Sequence, residues 1–266
     1  MGREQNRIVI KVGTSTLTDE LGRSDPRSFE RLACVLSDLQ DMGYEVILVS
    51  SGAVAVGSYT LYGAAGPVDI PRKQAAAAVG QSRILHWYEK FFSHYGKTIA
   101  QILLQGKDME QEETRESLRN TFRALLERHV IPIVNENDAV GDTEVASREH
   151  LFWDNDMLFA AVAILCKARW LVILSDIDGL YDADPHLYPD AKPICRVEQM
   201  DESLYSLAGA AGSRRGTGGM RTKLQAAALA TSQGIDTSII HGKTPEMLHK
   251  IVTGQRVGTL FVGNRC

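Results

Sequence analysis

The sequence predicts an α/β protein, a three-layer αβα sandwich with a mostly parallel central sheet. Three observations lead to it. Short apolar runs of strand-forming residues alternate with longer stretches of helical period, the order of elements that places a sheet between helices. The runs are apolar at consecutive positions, which suits strands covered on both faces. Polar and glycine-rich residues cluster just after the runs, at the carboxyl ends of strands where open α/β sheets bind ligands.

In chain order, residues 7–11 (RIVIK) form the first strand candidate. Asp25-Pro26 opens the first helix, with aspartate as N-cap and proline in the first helical position. Phe29, Leu32, Leu36 and Leu39 repeat every three or four residues, and Gly43 ends the helix. A strand at 45–50 (EVILVS) leads toward a second helical pattern at 72–95. Then follow a strand at 98–104, a helix at 113–129 and a strand at 130–134 (VIPIV). The last third holds a helix at 155–166, a strand at 170–175 (WLVILS), a helix at 220–233 stopped by Gly234, and strands at 237–241 and 259–262.

The 266 residues allow one large domain or two joined lobes. A 44% hydrophobic and 23% charged composition is that of an ordinary globular protein. A net charge of −4, with no cluster of Lys and Arg beyond Arg214-Arg215, argues against general nucleic-acid binding. The apolar run 157–166 is too short to cross a bilayer, so no membrane association is expected. The first residues enter a strand directly, without the pattern of a secretory signal. The four cysteines are scattered, with no C-x-x-C, so a reduced, cytoplasmic protein is expected, with Cys34 and Cys166 in the core.

The chemistry is carried by the strand ends. Lys11 closes the first strand and is followed by Gly13, Thr14 and Ser15, a turn that suits a phosphate. Ser50-Ser51-Gly52-Ala53 follows the second strand, and its small residues let a ligand approach the next helix N-terminus. Asn135-Glu136-Asn137-Asp138 places four polar groups directly behind a buried strand, a costly arrangement unless it is solvated or used. Residues 141–150 read as a mobile loop leading to Trp153-Asp154-Asn155-Asp156, which also caps the next helix. Ser175-Asp176 begins a loop with four aspartates that lacks the spacing of a calcium site. Finally, Gly216-Thr217-Gly218-Gly219-Met220-Arg221-Thr222-Lys223 runs into a helix. Its glycines admit close backbone approach, its helix start offers N–H groups, and Lys223 adds positive charge, so it reads as a phosphate loop. It matches neither the Walker A nor the Gly-x-Gly-x-x-Gly order.

Seven blocks stand in order: Lys-Val-Gly-Thr-Ser at 11–15, Ser-Ser-Gly-Ala at 50–53, KQAAAAVGQ at 73–81, NENDA at 135–139, Asp-Asn-Asp at 154–156, Ser-Asp-x-x-Gly-Leu-Tyr at 175–181 and GTGGMxTKLQAA at 216–227. Together, over about residues 7–262, they closely resemble the glutamate 5-kinase family of the amino acid kinase superfamily. The resemblance implies the amino acid kinase fold and transfer of the ATP γ-phosphoryl group to the side-chain carboxylate of L-glutamate, with Mg²⁺ held mainly by the ATP phosphates. It implies Lys11, Lys223 and Asp176 as catalytic residues, and Ser51, Asp138 and Asn155 as glutamate-binding ones. Lys11, Ser175-Asp176 and Thr217, Gly218, Gly219, Met220, Arg221, Thr222 and Lys223 match the nucleotide positions. It also implies a glutamate-binding lobe at about 1–168 and a nucleotide-binding lobe at about 169–266.

The residue chemistry agrees. A carboxylate acceptor is already a nucleophile, so no general base is required, and phosphoryl transfer asks mainly for positioning and positive charge. A zwitterionic amino acid needs a carboxylate for its ammonium and neutral donors for its α-carboxylate. Three features depart from the family pattern. The chain stops at Cys266, so no PUA domain is expected; Trp153 replaces a glycine; and residues 143–152 differ. Proline is expected as a feedback inhibitor, a dimer or tetramer as the assembly, and glutamyl 5-phosphate reductase as a functional partner, all by resemblance. The competing readings are a relative acting on another acidic or phosphorylated substrate, and a catalytically silent sensing module.

Overall fold

The structure is a computed structural model that describes residues 6–140, 155–185, 187–208 and 219–265. The chain begins with strand β1 (Arg7–Val12), then helices α1 (Thr14–Leu17) and α2 (Pro26–Asp41), strand β2 (Glu45–Val49), and helices α3 (Ala53–Tyr62) and α4 (Ile70–His94). Strand β3 (Ile99–Leu104), helix α5 (Glu112–Glu127) and strand β4 (Ile131–Glu136) follow. Next come α6 (Asn155–Leu165), β5 (Trp170–Ser175), and the short strands β6 (Leu180–Tyr181), β7 (Pro193–Ile194) and β8 (Arg196–Val197). Helices α7 (Glu202–Ala208) and α8 (Met220–Ser232), strand β9 (Asp236–His241), helix α9 (Met247–Val252) and strand β10 (Thr259–Phe261) complete it. The eight-stranded sheet has the order β3-β4-β2-β1-β5-β9-β10-β8. This is the α/β fold with a mostly parallel sheet that the alternation of elements predicts.

The chain forms two compact units, residues 12–152 and residues 1–11 with 153–266. In the first, β4 pairs in parallel with β3 on one side and with β2 on the other. Its core is apolar on both sheet faces: Val46, Ile47, Leu48, Ile131 and Val134 are all buried. Asp25 caps α2 by accepting the Arg27 N–H, and Pro26 occupies its first turn. The helix buries Phe29, Leu32, Leu36 and Leu39, as its spacing predicts. Asp69 caps α4 in the same way, accepting the Arg72 N–H. The predicted start at residue 72 therefore moves back to Ile70, because Pro71 belongs to the first turn.

Helices α3 and α4 meet backbone to backbone. A Cβ on Gly57 would lie 1.7 Å from the Ala76 carbonyl oxygen, and one on Gly80 would lie 1.7 Å from the Ala53 carbonyl oxygen. Only glycine permits that approach, which brings the start of α3 against the middle of α4.

In the second unit, β5 and β9 pair in parallel from Trp170 with Asp236 to Ser175 with His241. β10 runs antiparallel to β9 and parallel to β8. Helix α8 buries Leu224, Ala226, Ala227 and Ala230. Cys166 is buried as predicted, whereas Cys34 is half-buried, since its place on α2 lies at the margin of the apolar face. Among the described residues, no helix is long and apolar enough to cross a membrane.

Candidate active site

Within residues 12–152, the candidate site is built on the carboxyl ends of β2 and β4. The ladder between them closes with the Ser50 N–H donating to the Val134 carbonyl at 2.8 Å. Gly52, at φ +98, then turns the chain into α3, leaving Ser51 half-buried at the bend. Directly before it, the Ser50 hydroxyl shares a 2.9 Å hydrogen bond with the hydroxyl of Tyr88, a side chain of α4 that is 0% exposed. Burial pushes the Tyr88 phenol above its ordinary range, so it stays neutral.

On β4, the last two residues are polar yet remain in the strand. Asn135 and Glu136 continue the ladder opposite Leu103 and Leu104 of β3, so β4 runs two residues beyond the predicted strand. Asn135 is buried; its Oδ1 accepts the Glu136 N–H at 2.9 Å and its Nδ2 donates to Gln81 Oε1 at 2.6 Å. Beside this pair lies a cavity of about 380 Å³. Ala53, Ala77, Leu85 and Leu103 form apolar parts of its wall, while Gln81, Glu136, Asn137 and Asp138 supply polar groups. Asp138 is half-buried. Burial raises its pKa, and the positive charge of Lys73 opposes that rise. A cationic group entering the cavity would relieve the same desolvation penalty. Ser51 stands outside this lining, and the Asn155 side chain lies outside the described residues.

In the other unit, Lys11 is 9% exposed at the end of β1, its Nζ 5.4 Å from the centroid of the Phe159 ring. Lys223 is 7% exposed in the first turn of α8. Lysine is rarely buried to this degree without an anionic or hydrogen-bonding environment. Ser175, the last residue of β5, is buried and donates its hydroxyl to Asp176 Oδ1 at 3.0 Å, while Asp176 itself is exposed. At the head of α8, Gly219 is an N-cap with no side chain to offer, and the Thr222 hydroxyl donates back to the Gly219 carbonyl at 2.9 Å. Met220 is buried and Arg221 exposed. Thr217, Gly218, Trp153 and the loop 141–150 lie outside the described residues.

Sequence reasoning marked Glu136 within its polar cluster but assigned no role to Gln81 or Tyr88, which the structure places beside the strand ends. His241 ends β9 opposite Ser175, with its Nδ1 accepting the Lys243 N–H at 3.1 Å. For Gln81 a signal existed: it is the polar residue that closes an alanine-rich helical face. Tyr88 gave none, because a tyrosine among aromatic core residues reads as packing.

Known proteins carry the same architecture. The model of the amino acid kinase family matches residues 6–241. The glutamate 5-kinase of Clostridium perfringens is 48% identical, across 99% of this chain and 97% of its own length. That of Clostridium tetani is 49% identical, across 97% and 95%. The carbamate kinase from Giardia lamblia bound to AMP-PNP superposes with a TM-score of 0.69 over 99% of this chain and 100% of that one. At 16% identity, that likeness speaks for the fold alone. The chain therefore belongs to the glutamate 5-kinases, a branch of the amino acid kinase family.

Proposed function

We propose that this chain phosphorylates the side-chain carboxylate of L-glutamate with ATP, forming L-glutamyl 5-phosphate, the first step of proline biosynthesis. A γ-carboxylate oxygen attacks the γ-phosphorus of ATP as the bond to the β-phosphate oxygen breaks, and ADP leaves with that electron pair. The observation that carries this reading is the burial of both motif lysines, Lys11 and Lys223, at a strand end and a helix start. Two lysines largely withdrawn from solvent are what a transferring phosphoryl group needs, since its charge is spread over several oxygens.

Asp138, at the wall of a cavity with Gln81 and Asn137, takes the substrate ammonium in this reading. Ser51 and Asn155 bind the rest of glutamate, and Ser175, Asp176 and Thr217 to Lys223 bind the nucleotide. The unit 12–152 carries the glutamate cavity, and the unit with α8 carries the nucleotide residues. Mg²⁺ neutralises the β- and γ-phosphate oxygens when bound, and Asp176 is the residue that would hold it. Its Oδ1 accepts from Ser175, and among the described residues no group of three or more His, Cys, Asp and Glu forms a metal cluster. One carboxylate together with phosphates and water is the usual Mg²⁺ donor set. A homo-dimer or tetramer, inhibition by proline, delivery of the acyl phosphate to glutamyl 5-phosphate reductase and a cytoplasmic location complete the proposal. ADP release across a panel of amino acids tests it: release with L-glutamate supports the reading, and release with aspartate alone refutes it.

A further inference from the structure

We propose that Gln81 binds substrate, as the neutral donor that holds the α-carboxylate of the amino acid, with Asn135 fixing which end of its carboxamide faces the cavity. The inference rests on the reading of the chain as a glutamate-phosphorylating enzyme. Its basis is a chain of hydrogen bonds with only one consistent assignment. The backbone N–H of Glu136 can only donate, so the Asn135 atom 2.9 Å away is the carbonyl Oδ1. The other end of Asn135 is then an NH₂ group, 2.6 Å from the side chain of Gln81. The atom it meets must be an acceptor, Oε1, because a flipped Gln81 would set two NH₂ groups against each other.

What remains of Gln81 is Nε2 with two N–H donors. Among the described residues its side chain has one hydrogen-bonding partner, Asn135. Gln81 lines the same cavity as Glu136, Asn137 and Asp138. An amino acid brings an ammonium and a carboxylate on one carbon. Carboxylates in the wall serve the first, and a donor without formal charge serves the second. Neutrality matters here, since a lysine or arginine at position 81 would pair with Asp138 or Glu136 rather than with the ligand. The two-donor NH₂ also discriminates against ligands whose α-carbon lacks an anionic group.

The test compares L-glutamate with its α-amide, which keeps the reacting γ-carboxylate, in the unaltered chain and in Gln81→Glu. The variant retains an oxygen for Asn135 Nδ2 and replaces the cavity-facing NH₂ by a carboxylate oxygen. The KM for L-glutamate should rise about tenfold or more, with the KM for ATP within about twofold, because a hydrogen bond to a charged group is lost and repulsion added. The α-amide should lose far less, since its own NH₂ can donate to the new oxygen. Equal losses with both compounds, or an unchanged KM for L-glutamate, overturn the assignment. Thermal unfolding checks that the variant folds. If it does not, Gln81→Met, of similar length and without donors, must still raise the glutamate KM while leaving that for ATP in place, and an unchanged glutamate KM in it overturns the assignment. An unaltered chain that turns over neither compound overturns the activity and the assignment with it. One that is active on L-glutamate, with Gln81→Glu equally impaired on both, overturns the assignment alone.

Discussion

In the proposed reading two residues carry most of the chemical content, Lys223 and Asp138. Lys223 is buried at the first turn of α8, where the helix dipole also favours negative charge. Lys223→Ala should lower kcat by about a hundredfold to a thousandfold, the usual loss when one preorganised group facing developing charge is removed. Circular dichroism should show the fold intact, and near-normal turnover would remove Lys223 from the phosphoryl site. In the proposed reading Asp138 meets the other substrate, at the wall of the cavity it lines. Asp138→Ala should raise the KM for glutamate far more than that for ATP, and equal rises would refute its assignment to the substrate ammonium. Its titration also has a definite sign. Burial lifts the folded-state pKa above the ordinary 3.8, so the folded chain binds more protons than the unfolded one in the window above 3.8. The stabilisation from Asp138 is therefore complete below 3.8 and is lost as pH rises through the raised value. Across that window the urea midpoint of the unaltered chain should decline relative to that of Asp138→Asn as pH rises, because the variant lacks this titration. An identical slope in both would contradict the raised pKa.

At the scale of elements, α4 organises the strand ends beside the cavity proposed for glutamate. It sends Tyr88 to Ser50 at the end of β2 and Gln81 to Asn135 near the end of β4. Residues 81 and 88 are two turns apart on one helix face, so one rigid element fixes the ends of two neighbouring strands. Tyr88→Phe removes only the hydroxyl and should cost about 1 kcal/mol of stability, the ordinary worth of a buried hydrogen bond. It should also raise the glutamate KM through the loosened Ser51 turn, whereas an unchanged KM would confine Tyr88 to packing. The α3–α4 contact is less forgiving. A Cβ at Gly57 or Gly80 meets a backbone oxygen at 1.7 Å, and neither helix can yield without moving the cavity wall. Gly80→Ala should therefore destabilise by about 1–3 kcal/mol or more, the range for overpacking. A native denaturation midpoint in that variant would mean that α3 and α4 do not pack in this way.

At the scale of the whole molecule, much was legible because apolar runs end abruptly in polar ones. Lys11, Ser51, Ser175 and Lys223 could be placed at strand ends or helix starts from the alternation alone. The boundary of β4 could not, since Asn135 and Glu136 are held in the strand by the ladder with β3, which no local pattern announces. Short elements such as α1, α7 and α9 are too brief for periodicity to register. The role of Gln81 was hidden for a different reason. Its orientation is decided by Asn135, 54 residues away, so it emerges only once the two strand ends and the helix are folded together.

The account also predicts how ligands act on the folded molecule. L-Glutamate at about a hundred times its Kd should add about 2.7 kcal/mol of stability, because it binds only the folded state. The most direct test of the central claim is capture of the acyl phosphate. With ATP, Mg²⁺ and hydroxylamine, L-glutamate should yield γ-glutamyl hydroxamate in step with ADP. Hydroxamate formed from aspartate, with none from L-glutamate, would contradict the account.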